Sequence, residues 1–334
     1  MSRTSKLVNF VAQVGRLSLL GTTFIFVLLG VAAAEGDASP GRLAAVLAAA
    51  VFFHLSVYAW NDIADLRIDR SQPRRARSPL VSGQAGVRAT AAFASGATLA
   101  ALALAATQGG EATLWMALAL AGLLLYDALG KRIAATVCAD LVQGLGWAAL
   151  VVYGATATGE TAAVLAWIAA YVVFTILLVN GVHGALRDLA NDYRCGARTT
   201  AIWLGARPLP NGGAAVPPRL LAYAVALQLT MAAILLGAAV AVDSLGTLEI
   251  ALVLGGDLAA IALLLRGLRV SGSPERSWLV ALAHILLVLM LPLILVAERL
   301  DALELLLLLV LFGLPWAAVA RPLRQRLNPT GALE

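Results

Sequence analysis

Asn61-Asp62-Ile63-Ala64-Asp65-Leu66-Arg67-Ile68-Asp69 closes one long apolar run, and Arg187-Asp188-Leu189-Ala190-Asn191-Asp192 closes another far downstream. The chain is 61% hydrophobic and only 13% charged. Five carboxylates gathered at two such points need a cause, because an ionised side chain near a bilayer is costly and usually functional. They read as a binding site for a divalent cation.

Working outward, the rest of the chain is apolar on the scale of membrane crossings. Mean hydropathy is +0.87, and runs of about 20 residues, the length that spans hydrocarbon, recur from end to end. The expected spans are 13–34, 41–64, 87–107, 112–129, 133–156, 161–186, 218–241, 245–267, 277–297 and 301–320. The last two are the least distinct as separate crossings. This predicts an all-α polytopic membrane protein, residues 1–334 forming a single transmembrane domain embedded in the lipid bilayer. The basic segment 1–6 leads into a retained first helix, since no small-residue cleavage site follows.

Lys and Arg set the orientation. With a cytoplasmic N-terminus and ten crossings, the outer turns 35–40, 108–111, 157–160, 242–244 and 298–300 carry only Arg299, with Arg42 at a span edge, leaving 22 of the 24 basic residues inside. That asymmetry is the positive-inside pattern. It predicts an inner-membrane protein with both termini and the motif loops, 61–83 and 187–205, on the cytoplasmic face. The net charge of +5 thus reflects orientation. Nucleic acid is excluded, because no basic patch is interleaved with base-stacking aromatics. Cys138 and Cys195 offer no disulfide framework or thiolate site, and His54, His183 and His284 show no zinc spacing.

Both acidic stretches now fall at one face. At a helical step of four, Asn61, Asp65 and Asp69 share a side, Asp188 and Asp192 repeat the step, and Asp62 lies beside them. Back along the helices, His54 and Tyr58 extend the first stripe, and Asn180 and His183 the second. Such polar seams must face the bundle interior or a wet cavity. Facing carboxylates suit Mg²⁺, a hard cation commonly held by one or two carboxylates plus substrate phosphates.

Positive charge flanks the acids. Arg70, Arg74, Arg75 and Arg77 follow the first stretch, Arg194 and Arg198 the second, and Tyr126-Asp127-Ala128-Leu129-Gly130-Lys131-Arg132 ends the fourth span. Guanidinium groups grip phosphate bidentately, so these residues complete a diphosphate clamp around the cation.

At this point the chain resembles the UbiA superfamily of intramembrane prenyltransferases. Its motif N-D-x-x-D-x-x-x-D is met by Asn61, Asp62, Asp65 and Asp69, and its D-x-x-x-D by Asp188 and Asp192. The flanks match too: an Arg-rich loop into Pro-Leu-x-Ser-Gly at 79–83, a Tyr followed by Lys-Arg at 126–132, and the run from Asp192 to Thr200. The resemblance covers about residues 10–300. It implies a bundle of nine transmembrane helices around a central cavity with a cytoplasmic cap, nine or ten here. It implies Mg²⁺–diphosphate ligation by Asn61, Asp65, Asp69, Asp188 and Asp192, and diphosphate contacts from Lys131 and nearby Arg. Where the family has Arg-Pro-Leu this chain has Ser78-Pro79-Leu80, which passes that arginine's role to Arg77.

Other roles compete for the same residues. The carboxylates could be helix-end groups paired with Arg, and Arg74, Arg75, Arg77, Lys131 and Arg132 could serve only to orient the chain. Tyr58, His54, Asn180 and His183 could be hydrogen-bonding glue between helices instead of cavity lining. Asp140, with Gln143 and Trp147 on the fifth span, is the buried carboxylate best suited to orient an acceptor or a cation, whereas Asp257 stands alone and reads as structural.

The expected activity is Mg²⁺-assisted departure of diphosphate from a polyprenyl diphosphate, followed by capture of the prenyl group by an acceptor the sequence does not identify. Asp65, Asp188, Lys131 and Tyr126 are its catalytic candidates. Arg74, Arg77, Lys131, Arg132, Arg194, Arg198, Tyr58, His183, Asn180 and Asp140 are expected to bind substrate. Two alternatives stay open: a terpene cyclase on the same scaffold, and a divalent-cation or phosphate transporter, though transporters favour midplane sites on broken helices. The prenyltransferase reading requires both carboxylate sets to meet at one cavity mouth.

Overall fold

In hydrocarbon a backbone must satisfy its own hydrogen bonds, and a run of about 20 apolar residues does so as a helix. The computed structural model describes residues 3–35, 38–210, 212–241, 245–269 and 274–300, with residues 306 and 310. Among them, eight helices are long and apolar enough to cross a membrane: Pro40–Ala64, Val87–Ala106, Gly110–Leu129, Thr136–Thr156, Val164–Arg194, Pro218–Ala241, Thr247–Arg269 and Arg276–Arg299; Leu17–Ala32 is a shorter apolar helix. The expected tenth span, 301–320, falls outside the described residues apart from 306 and 310.

In chain order the helices are α1 (Arg3–Val14), α2 (Leu20–Ala32), α3 (Pro40–Ala64), α4 (Leu66–Asp69), α5 (Val87–Ala106), α6 (Gly110–Leu129), α7 (Thr136–Thr156), α8 (Val164–Leu178), α9 (Ala185–Arg194), α10 (Thr200–Trp203), α11 (Pro218–Ala241), α12 (Thr247–Arg269) and α13 (Pro274–Met290). A 3₁₀ segment, Leu291–Arg299, continues α13 past Pro292, whose missing N–H forbids an uninterrupted helix. Two boundaries differ from the sequence expectation. The first span does not begin at residue 13, because Arg16 takes a left-handed backbone (φ 44) that separates α1 from the crossing. The stretch expected as a loop from residue 187 is helical to Arg194, α8 passing into α9 through a π-helical turn at Val179–Gly184.

α7 is the inner helix, packed on α2, α6 and α8. Its glycines permit this. A Cβ at Gly154 would run into the Val27 carbonyl of α2, one at Gly30 into the Val151 carbonyl of α7, and one at Gly144 would come within 2.9 Å of the Val173 carbonyl of α8. Helices in lipid gain their contact from such close approaches, there being no hydrophobic drive between them.

The two ends of the bundle are built differently. At one, Ala34–Glu35 pairs antiparallel with Glu160–Thr161, the Ala162 N–H donates to the Ala33 carbonyl at 3.1 Å, and Arg42 Nε donates to the Ala157 carbonyl at 2.7 Å. At the other lie the longer connections and both acidic stretches.

Candidate functional site

α3 stops at the first acidic stretch. Asp65 caps it (φ −89, ψ 0), the single turn of α4 follows, and Gln72 leads into a 3₁₀ turn at Pro73–Arg75. Opposite, the π-turn delivers α9. The two segments bond to each other directly: Asn191 Nδ2 donates to the Ile68 carbonyl (3.2 Å), Ser71 Oγ to Asn191 Oδ1 (3.1 Å) and Gln72 Nε2 to Asp188 Oδ1 (3.2 Å), while Arg74 pairs with Asp188. They close around one cavity of about 500 Å³, walled by α2, α3, α6, α7, α8, α9 and α13.

Ion pairs knit the mouth. Asp62, 1% exposed, is shared by Arg16 (2.5 Å) and Arg75. Arg75 Nε also holds Asp69 Oδ2 at 2.8 Å, Lys131 Nζ holds Asp65 Oδ2 at 2.9 Å, and Arg187 holds Asp188 at 3.0 Å. Burial works against the Lys131 charge, but the Asp65 and Asp192 carboxylates outweigh it and keep its pKa above the ordinary amine value. Burial pushes the Asp69 carboxyl up, with Arg75 opposing.

Two of these cations sit on unusual backbone. Among the described residues, Arg16 (φ 44) and Lys131 (φ 60) are the non-glycine positions with positive φ, a conformation costing roughly 1–2 kcal/mol for an L-residue. Each is held by a partner. The Arg198 N–H donates to the Lys131 carbonyl at 2.9 Å. The Arg16 carbonyl can only accept, so His54 Nε2 donates to it (3.3 Å) and His54 Nδ1 accepts from the Thr23 hydroxyl at 2.7 Å.

Below the charged mouth lies a smaller polar cluster. Asn180 Nδ2 donates to Tyr126 Oη (2.9 Å) and Asp140 Oδ1 (2.6 Å), and Thr200 Oγ1 donates to Asp140 Oδ2 at 2.5 Å. Phe26, Tyr58, Trp147 and Trp278 give the cavity its aromatic walls. The guanidinium of Arg16 lies 5.2 Å from the Tyr58 ring and that of Arg187 5.1 Å from the Trp278 ring.

Of the expected site residues, the cavity is lined by Tyr58, Asn61, Asp65, Asp69, Arg74, Tyr126, Lys131, Asp140, Asn180, Asp188, Asp192 and Arg198. Five others are elsewhere. Asp62 lies behind the wall, its charge taken by Arg16 and Arg75. Arg77 is exposed, because the turn at Pro73–Arg75 aims Arg75 inward instead. Arg132 caps helix ends, donating to the Asp127, Ala128 and Ala64 carbonyls. Arg194 turns back to the Ala190 carbonyl and Asn191. His183 is buried against α13, where its Nε2 donates to His284 Nδ1 (2.9 Å) and His284 Nε2 donates to Gln228 Oε1 (3.0 Å).

Sequence reasoning passed over Arg16, Gln72, Asp127, Arg187, Thr200 and Trp278 as site residues, all of which line the cavity together with Arg75 of the expected clamp. Asp127 accepts from Asn61 Nδ2 at 2.8 Å. Of those passed over, Arg187 carried a signal through its place beside Asp188, whereas Arg16, Thr200 and Trp278 arrive from distant segments.

The oxygen donors stand around the mouth in ones and twos. Among the described residues no three His, Cys, Asp or Glu side chains are gathered closely enough to cage a cation. Asp192 Oδ1 is buried without a hydrogen-bond partner. Such a set holds a hard cation through part of its coordination sphere only.

A family model described as the UbiA prenyltransferase family matches residues 23–278. A 4-hydroxybenzoate octaprenyltransferase from Acidovorax ebreus (strain TPSY) is 31% identical over 173 residues, 52% of this chain; the match spans 59% of that relative's length. Among solved structures, a UbiA homolog from Aeropyrum pernix K1 superposes with a TM-score of 0.60 at 22% identity, covering 84% of this chain and 96% of that one. A UbiA homolog from Archaeoglobus fulgidus bound to GPP and Mg²⁺ superposes with a TM-score of 0.65 at 16% identity, covering 86% and 99%.

Proposed function

The chain belongs to the UbiA prenyltransferase family, and from that premise we propose that it ionises an allylic prenyl diphosphate at the cavity mouth and passes the prenyl group to an acceptor held in the same cavity. The observation that carries this reading is the meeting of both acidic segments, with Arg74, Lys131 and Arg198, around one cavity that is charged above and aromatic below. A transport site would sit deeper and without this basic collar.

The residues present fit the Mg²⁺ that the family implies. Mg²⁺ retains several waters and takes one or two carboxylates plus substrate phosphates, which matches donors standing in ones and twos and the unpartnered Asp192 oxygen. Asn61, Asp65 and Asp69 on one side, and Asp188 and Asp192 on the other, would hold it. When bound it offsets the charge gathering on the departing diphosphate.

The chain's own groups supply the rest. Arg74, Lys131 and Arg198 donate to phosphate oxygens, with bidentate geometry from the guanidinium groups. The allylic C–O bond breaks with both electrons leaving on the diphosphate, and the positive carbon faces the rings nearest the charged mouth, Tyr58 and Trp278, whose π-faces favour a cation. The same walls exclude the water that would quench it. The acceptor's electrons then form the new bond and the acceptor's proton passes to the released diphosphate; Asp140, fixed by Thr200 and Asn180, is the group placed to orient the acceptor. The basic loops at the motif end support a cytoplasmic placement of that end in an inner membrane.

The test is incubation of purified protein with Mg²⁺ and prenyl diphosphates, first alone and then with a membrane extract. Turnover that waits for the extract is the expected result. A cyclic hydrocarbon formed without it would mean a cyclase, and no diphosphate release under any condition would remove the enzyme reading.

A further inference from the structure

Resting on that reading, we propose that Trp147 is the floor of the prenyl site and limits the substrate to short prenyl diphosphates. Each wall contributes one deepest lining residue: Phe26 on α2, Val57 on α3, Leu123 on α6, Trp147 on α7, Ile176 on α8 and Ile285 on α13. Beyond that level the bundle is solid, with Leu28, Leu29, Leu150 and Ile168 fully buried.

Trp147 is braced where the cavity ends. Its ring lies 5.2 Å from Phe26 and 5.7 Å from Phe53, tilted on the first and edge-on to the second, and it is 6% exposed. A residue wedged between two aromatic neighbours does not swing aside without breaking both contacts, and a close-packed interior gives little elsewhere.

The depth then fixes the length. At about 1.5 Å per residue, Asp65 to Val57 is about 12 Å and Asp188 to Ile176 about 18 Å. Subtracting about 5 Å for the four-bond O–P–O–P–O chain of the diphosphate leaves roughly 7–13 Å for the tail. A three-bond backbone repeat reaches about 3.5 Å, so a four-bond isoprene repeat reaches about 4.7 Å, and about two repeats, at most just under three, fill the space. The substrate class is therefore geranyl to farnesyl diphosphate, the tail ending against Trp147.

Non-cleavable S-thiolodiphosphate analogues of dimethylallyl, geranyl, farnesyl and geranylgeranyl chains separate binding from turnover. Thermal stabilisation of the detergent-solubilised protein and kcat/KM for diphosphate release are measured across the four lengths. Both are expected to peak at geranyl or farnesyl, with geranylgeranyl at least about tenfold poorer, the scale on which an apolar pocket rejects extra carbons. Trp147→Leu should raise the geranylgeranyl-to-geranyl ratio at least about tenfold, while Trp147→Phe shifts it less. Phe26→Leu, loosening the same floor from α2, should move the ratio in the same direction if Trp147→Leu does not fold. Equal use of all lengths by the wild-type protein, or an unchanged ratio in the folded variants, would mean that the tail leaves sideways into lipid and would overturn the floor. Absence of binding to every chain length would overturn the proposed function along with it.

Discussion

Lys131 reaches Asp65 from a left-handed backbone: its φ is 60, and its Nζ stands 2.9 Å from Asp65 Oδ2. Strained backbone of this kind persists where its surroundings over-determine it and clusters at functional sites. Here the strand-like bridge to Arg198 fixes the main chain and Asp65 fixes the side chain. An arriving phosphate meets an amine already aimed, and competes with one carboxylate for it.

Lys131→Ala should raise KM for the prenyl diphosphate more than it changes the response to any acceptor. Lys131→Gly removes the same amine but relieves the backbone, so it should match the alanine variant in KM while unfolding about 1 kcal/mol less easily. Equal stability of the two would show that the left-handed turn stores no strain. An unchanged KM would return Lys131 to a role in membrane orientation.

Asp65→Ala and Asp188→Ala should each abolish diphosphate release while leaving a folded, membrane-inserted protein, since both side chains face the cavity instead of the packed core. The expected loss is at least about a hundredfold, as for removal of a group that stabilises a leaving charge. Both variants keeping more than about a tenth of the activity would sink the metal assignment.

His183→Ala should act on stability alone. It leaves His284 Nδ1 buried without its donor, at a cost of roughly 1–3 kcal/mol, while KM for the prenyl diphosphate stays within about twofold. A large KM change with an unaltered melting temperature would place His183 in the binding site after all.

Gly154→Ala should destabilise the bundle by roughly 1–3 kcal/mol, as overpacking of a close interface does, because its methyl group meets the Val27 carbonyl of α2. Gly255→Ala is its control: a Cβ there meets nothing within 4 Å, so its effect should be smaller or slightly stabilising. Parity between the two variants would mean that α2 and α7 yield at no cost.

The carboxylates were legible in the sequence because a charge in an apolar run is conspicuous and a step of four marks one helix face. His183 misled for a specific reason. A 3.6-residue period puts it on the stripe of Asn180, but the π-turn at Val179–Gly184 widens the helix to i→i+5 bonding, sending Asn180 to the cavity and His183 to α13. Arg77 misled similarly, since the 3₁₀ turn at Pro73–Arg75 decides which arginine points inward. Arg16 was invisible as a site residue because a lone arginine before a span reads as an orientation signal. Only the tertiary contact with Asp62, 46 positions away, reveals its second task.

The clasp of Ala34–Glu35 on Glu160–Thr161, with Arg42 reaching over to Ala157, makes the bundle mechanically lopsided. The ends of α2, α3 and α7 farthest from the acidic residues are joined through hydrogen bonds to main-chain carbonyls, whereas the mouth is joined by ion pairs whose partners an anion can exchange. Exchange of charged partners is thus confined to one end of the bundle, and among the described residues the other end offers an arriving anion no such pair to replace.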